Sequence, residues 1–173
     1  MIPGTRRSIF AAAVVGIWAA ALHPACAAPT EKERAELATA LKAAKATVED
    51  GLKISEREGK PISAKFEVED GKLQLSIYTL DANDFSEVIA DPQTGATTKA
   101  RITDKEDLEA AAKQKDAMAN AKVSLLSATE RAVQANAGFR AVSIYPAMEG
   151  GHPTASVTLL QGATYKTVAE KLD

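Results

Sequence analysis

Lys65-Phe66-Glu67-Val68-Glu69-Asp70-Gly71-Lys72-Leu73-Gln74-Leu75-Ser76-Ile77-Tyr78 alternates apolar and polar residues on both sides of an Asp-Gly pair. A period of two marks a half-buried strand, and Asp-Gly favours a tight hairpin because both residues tolerate positive φ. Paired as written, Phe66, Val68, Leu73, Leu75 and Ile77 share one buried face. Leu80-Asp81-Ala82-Asn83-Asp84 then reads as a second turn and Phe85 to Ala90 as a third strand. This region is therefore expected to be a three-stranded antiparallel meander.

Upstream, Leu37, Leu41, Ala44, Val48 and Leu52 recur at three- and four-residue steps, which predicts an amphipathic helix over residues 31–58. Thr30 before Glu31 and Glu33 supplies an N-cap, Gly51 weakens or breaks the helix, and Gly59-Lys60-Pro61 ends it. Downstream of a linker around residues 97–103, helical periodicity returns over 104–137 and is read as one or two helices. The capping-box spacing Ser127-Ala128-Thr129-Glu130 favours two. Three further strands follow, at residues 139–147, 154–160 and 164–169.

The halves repeat each other. Val68-Glu69-Asp70-Gly71-Lys72 matches Met148-Glu149-Gly150-Gly151-His152, and Leu80 with Phe85 matches Leu160 with Tyr165. The expected fold class is α+β, with two tandem units, each a helix packed on a three-stranded antiparallel meander. The units are placed at residues 28–100 and 101–173, as two domains or one compact one.

Residues 1–27 read as a signal peptide. Arg6 and Arg7 precede an apolar run from Ile9 to Leu22, and small residues around Cys26 favour cleavage after Ala27. Thr5-Arg6-Arg7-Ser8-Ile9-Phe10 fits the twin-arginine pattern as well as an ordinary Sec signal, so both export routes stay open. The residue three places before Cys26 is not the aliphatic one that lipid attachment needs. The expected localisation is periplasmic or secreted. Cleavage removes the one cysteine, the one tryptophan and one of the two histidines, and widens the acidic excess from two to four. Disulfides are then excluded, and a mildly acidic chain without a basic cluster is a poor partner for nucleic acid or anionic membrane.

Catalytic chemistry finds little to build on. His152, the remaining histidine, sits in a Gly-Gly-His-Pro turn, and no nucleophile elbow or Ser-x-x-Lys pattern is present. Zinc sets are excluded by composition, and Asp81, Asn83 and Asp84 lack the glycine and glutamate of a calcium loop. Neither catalytic, cofactor-binding nor metal-binding residues are assigned, and no cofactor is expected. Glu56, Glu58, Glu67, Glu69 and Asp70 form an acidic neighbourhood, which interleaved Lys53, Arg57, Lys60 and Lys65 turn into a mixed solvated surface. Tyr78 and Tyr145 are candidates for an exposed contact patch, with partial burial the better reading.

Ile89-Ala90-Asp91-Pro92-Gln93-Thr94-Gly95 ends the first unit, and Asp91, Thr94 and Gly95 are read as a structural corner: Asp91 accepts backbone N–H groups, Pro92 presets φ, and Gly95 takes a positive φ. Together with Glu69-Asp70-Gly71-Lys72, this ending resembles that of the PepSY domains of secreted bacterial proteins. The second copy stops at Leu172-Asp173 and lacks the Thr-Gly part. The resemblance implies a non-catalytic extracytoplasmic binding or regulatory module with a protein partner, such as a protease it restrains or an exported protein it assists. The alternative is a periplasmic accessory protein for redox or metal handling that binds a small cofactor noncovalently.

Overall fold

The computed structural model describes residues 29–173, so the expected signal peptide, with Arg6, Arg7, Cys26 and the expected cleavage after Ala27, lies outside the described residues. The elements are α1 (Glu31–Ala40), α2 (Val48–Ser55), β1 (Lys60–Glu69), β2 (Lys72–Asp81), β3 (Asp84–Ala90), β4 (Thr97–Arg101), α3 (Lys105–Asn120), α4 (Leu125–Gln134), β5 (Arg140–Glu149), β6 (His152–Gln161) and β7 (Thr164–Lys171).

The hairpin forms in the expected register, with Phe66 opposite Leu75 and Val68 opposite Leu73. Asp70 and Gly71 both take positive φ, 49° and 73°, which is what a two-residue turn of this hand requires. The expected architecture, however, is overturned. The strands do not make two helix-on-three-strand units but one seven-stranded antiparallel sheet, in the order β4-β3-β2-β1-β5-β6-β7. The joint is β1 against β5, where Ala64 lies opposite Ile144 and Lys65 opposite Ser143. Local alternation reveals each hairpin, but not that two hairpins share a seam.

That seam lies at an internal pseudo-symmetry. Val88, Ile77, Ala64, Ile144, Val157 and Val168 form one row across six strands by successive pairing. Each member has a counterpart 80 positions away: Ala64 and Ile144, Ile77 and Val157, Val88 and Val168. Both inner strands shift register at the same place, at Pro61/Ser63 and Ala141/Ser143. The extra residues, Ile62 and Val142, are buried.

Four further expectations are corrected. The helix over residues 31–58 is two helices, and the break falls at 41–47 rather than at Gly51. A second capping box starts α2: Thr47 Oγ1 accepts from Asp50 N at 3.1 Å and Asp50 Oδ2 accepts from Thr47 N at 2.9 Å. The linker at 97–103 contains β4, which pairs with β3 from Ala90–Thr97 to Ser86–Arg101. The N-cap of α4 is Ser124, whose Oγ accepts from Ser127 N at 3.1 Å, so Ser127 lies inside the first turn instead of starting the helix.

Helices α2 and α4 pack against each other. They bury matching positions: Val48, Gly51, Leu52 and Ser55 in α2, and Leu125, Ala128, Thr129 and Ala132 in α4. Small residues stand where the helix meets the sheet, because there the backbone must come close. A Cβ on Gly51 would lie 2.4 Å from Leu75 Cδ2, so α2 sits on the face carrying Leu75 and Ile77. Burial of that apolar row is the main stabilising contribution, roughly 1.5–3 kcal/mol per large side chain. Among the described residues, no helix is long and apolar enough to cross a membrane.

Candidate functional site

The opposite face of the sheet is polar. Ile89, Ser76, Lys65, Ser143, Thr158 and Thr167 form the adjacent row by successive pairing. Lys65, Ser143, Thr158 and Thr167 from that row line a cavity of about 610 Å³ together with Glu33, Arg34 and Leu37 of α1. Tyr145, Tyr165, Phe66, Val68 and Val142 also line it, with Pro29, Glu36 and Glu67, so aromatic and aliphatic surface alternates with hydroxyls and charges.

Helix α1 is held there from two sides. Thr30 caps it, with Glu33 Oε2 accepting from Thr30 N at 2.7 Å, and this hydrogen bond is the first cause holding the Glu33 carboxyl below its ordinary range. Tyr165 Oη donates to Arg34 O at 2.9 Å, and the Arg34 guanidinium lies over the Tyr165 ring, 5.5 Å from its centre. Burial pushes the Tyr165 phenol up, with Arg34 acting against it. At the far end, Arg140 donates to Leu41 O at 3.1 Å and Ala46 O at 2.9 Å, clamping the α1–α2 connection. Arg34 Nε is buried and has no hydrogen-bond partner, a donor left in the wall of the cavity.

The charges on this face are mutually matched. Lys65 pairs with Glu67, and Gln74 Nε2 donates to Glu67 at 2.9 Å and Glu69 at 2.7 Å. Glu58 meets Lys99 at 3.5 Å on the other face, where Lys99 lies opposite Val88. Tyr145 lines the cavity, half-buried. Tyr78 does not; its phenol is pushed up by burial and by its hydrogen bond with Asp107. Asp81, Asn83 and Asp84 lie at the β2–β3 hairpin, with Asp81 opposite Asp84 and Ala82 at φ 52°. His152 Nδ1 and Asp173 Oδ2 are 2.7 Å apart at the surface, and that bond is the first cause lowering the Asp173 carboxyl. Among the described residues, no group of three His, Cys, Asp or Glu side chains is placed to hold a metal ion.

Asp91, Thr94 and Gly95 form a turn away from this cavity. Asp91 Oδ1 accepts from Gln93 N and Thr94 N, both at 2.8 Å, and these bonds hold its carboxyl below the ordinary value. Gly95 N donates to Asp91 O at 2.9 Å, with Gly95 at φ 73°. The turn also grips its neighbour: Pro92 O accepts from Lys45 N and Ala46 N at 3.0 Å, and Gln93 Nε2 donates to Ala43 O. Its place in the fold is thus a clasp on the α1–α2 connection.

No protein-family model, curated protein or solved structure matches the chain. Its functional reading therefore rests on residues and geometry. Residue type points to Tyr145 but not to Arg34, Tyr165, Thr158 and Thr167, because their meeting depends on the β1–β5 seam and on where α1 folds back. The one local signal was the Lys65–Glu67 alternation, which marked a polar face without saying what lay opposite it.

Proposed function

We propose that this protein is a non-catalytic, exported binding or regulatory module of the PepSY kind, whose partner is a protein segment seated in the cavity between α1 and the polar sheet face. The observation that carries this reading is the composition of that wall. Tyr145 and Tyr165 offer rigid, partly exposed aromatic surface, as interface anchors do. Ser143, Thr158 and Thr167 offer hydrogen bonds to a partner's main chain. The partner is a protease that the module restrains or an exported protein that it assists, and no residue of the module has to perform chemistry. The resemblance of Ile89–Gly95 to the PepSY ending supports the same assignment.

A cavity of this size also fits a small organic cofactor, since ligand sites commonly span about 300–1,000 Å³. An absorption spectrum of protein isolated from its native host separates the two. A stoichiometric chromophore, lost in Thr158→Arg, favours the cofactor; a colourless protein that retains a protein partner favours the module. Retention is measured by affinity capture with wild type and Thr158→Arg in parallel. Equal retention by both removes the cavity from the binding account.

A further inference from the structure

The sheet has two open edges, and their chemistry differs. Strand β4 is five residues long, exposed throughout, with Lys99 at its middle and Arg101 at its end. Strand β7 is eight residues long, pairs with β6 from Thr164 to Lys171 without a register shift, and contains neither proline nor glycine. A long, unbulged edge is a template for another strand, whereas short charged edges resist one.

The order of side chains in Thr164-Tyr165-Lys166-Thr167-Val168-Ala169-Glu170-Lys171 says which strand fits. A copy of β7 laid antiparallel about Val168 sets Val168 against Val168 and brings Lys166 opposite Glu170 twice, once on each side of the axis. Alternation puts Lys166, Val168 and Glu170 on one face, so both charge pairs flank one apolar contact. The same operation on β4 sets Lys99 against Lys99. Like charges directly opposite are destabilising, so β4 is not self-complementary. We infer that β7 is a self-association edge whose occupant is a second copy of this chain, extending the sheet across a twofold axis at Val168. The chain already uses this geometry internally, where β1 and β5 meet antiparallel at Ala64 and Ile144. In the single chain, Glu170 is held by Arg131 at 3.2 Å and Lys166 by Asn136, which keeps both charged groups beside the edge.

The test is sedimentation equilibrium of the full chain from about 1 μM to 1 mM, the range in which small interfaces associate. The wild type is expected to approach twice the single-chain mass. Lys166→Glu and Glu170→Lys each place like charges across the axis and should weaken self-association about tenfold or more. The double variant, Lys166→Glu with Glu170→Lys, restores both pairs and should regain it. Far-UV circular dichroism checks that each variant folds; should Glu170→Lys fail through loss of Arg131, Lys166→Glu alone still decides. A wild type of single-chain mass throughout, a Lys166→Glu variant that associates undiminished, or a folded double variant that stays monomeric overturns the inference.

Discussion

Pro92 and Leu172 stand 80 positions apart and make the same contact: each carbonyl oxygen accepts two consecutive backbone N–H groups from the connection between two helices. Pro92 O receives Lys45 N and Ala46 N at 3.0 Å, and Leu172 O receives Lys122 N at 2.7 Å and Val123 N at 2.9 Å. The pseudo-symmetry of the sheet thus extends to how the helical connections are tied down. In the first half, Asp91 shapes the tie. Its carboxyl is held below the ordinary value, so its contribution to stability is full above the unfolded pKa and lost as pH falls through the depressed folded one. Asp91→Ala should lower Tm at pH 7, and the gap to wild type should close as pH drops below the ordinary carboxylate range. A gap that stays constant with pH would show that the charge plays no part.

Gly51 gives a prediction against helix propensity. Alanine favours a helix interior by about 1 kcal/mol over glycine. Here the added Cβ would meet Leu75 at 2.4 Å and 3.0 Å, and Leu75 is fully buried. Overpacking of this kind costs about 1–3 kcal/mol. Gly51→Ala should therefore be neutral to destabilising in urea unfolding, and combining it with Leu75→Val should recover part of the loss. A clear stabilisation by Gly51→Ala contradicts the close approach of α2.

Arg140 and Lys60 are counterparts, and the structure shows what the fork of arginine adds. Arg140 reaches Leu41 O and Ala46 O and stacks over Phe66 at 5.5 Å. Lys60 makes a single bond, to Met118 O at 3.2 Å. Arg140→Lys should cost about 1 kcal/mol, with faster amide hydrogen exchange around Leu41–Thr47. Unchanged exchange in that connection means that the clamp is ornamental.

Ala82 occupies the β2–β3 turn at φ 52°, where its counterpart is Gly162 at φ 61°. A left-handed alanine carries about 1 kcal/mol of strain, offset in part by the greater backbone entropy of glycine in the unfolded chain. Ala82→Gly should raise stability by about 0.5 kcal/mol, read as a higher Tm. Destabilisation would mean that the turn does not adopt this conformation in solution.

Legibility in the sequence followed the range of the interactions. The Asp70-Gly71 hairpin, the β3 strand and the matching of Glu69–Lys72 with Glu149–His152 are local, and alternation plus turn chemistry were enough to find them. The sequence points to Gly51 for the break between α1 and α2 because glycine is a good breaker in isolation, whereas its missing Cβ serves tertiary packing against Leu75. Strand β4 reads as a linker from sequence because Thr97–Arg101 is mostly polar and exposed throughout, and only pairing with β3 makes it a strand. The seam at Ala64–Ile144 has no local signature at all, and the cavity beside α1 depends on it. Tyr145 was found by residue type alone; Arg34 and Tyr165 needed the fold.

The proposal that a protein segment binds between α1 and the polar sheet face is tested most directly by site-specific photo-crosslinking. A photoreactive amino acid replaces Thr158 inside the cavity or, as a control, Glu109 on α3, which does not line it. In extracts of the native host, the account predicts one discrete crosslinked protein from position 158, absent from position 109 and lost when Tyr145 is changed to alanine. No adduct at 158, or the same adducts from both positions, would contradict it.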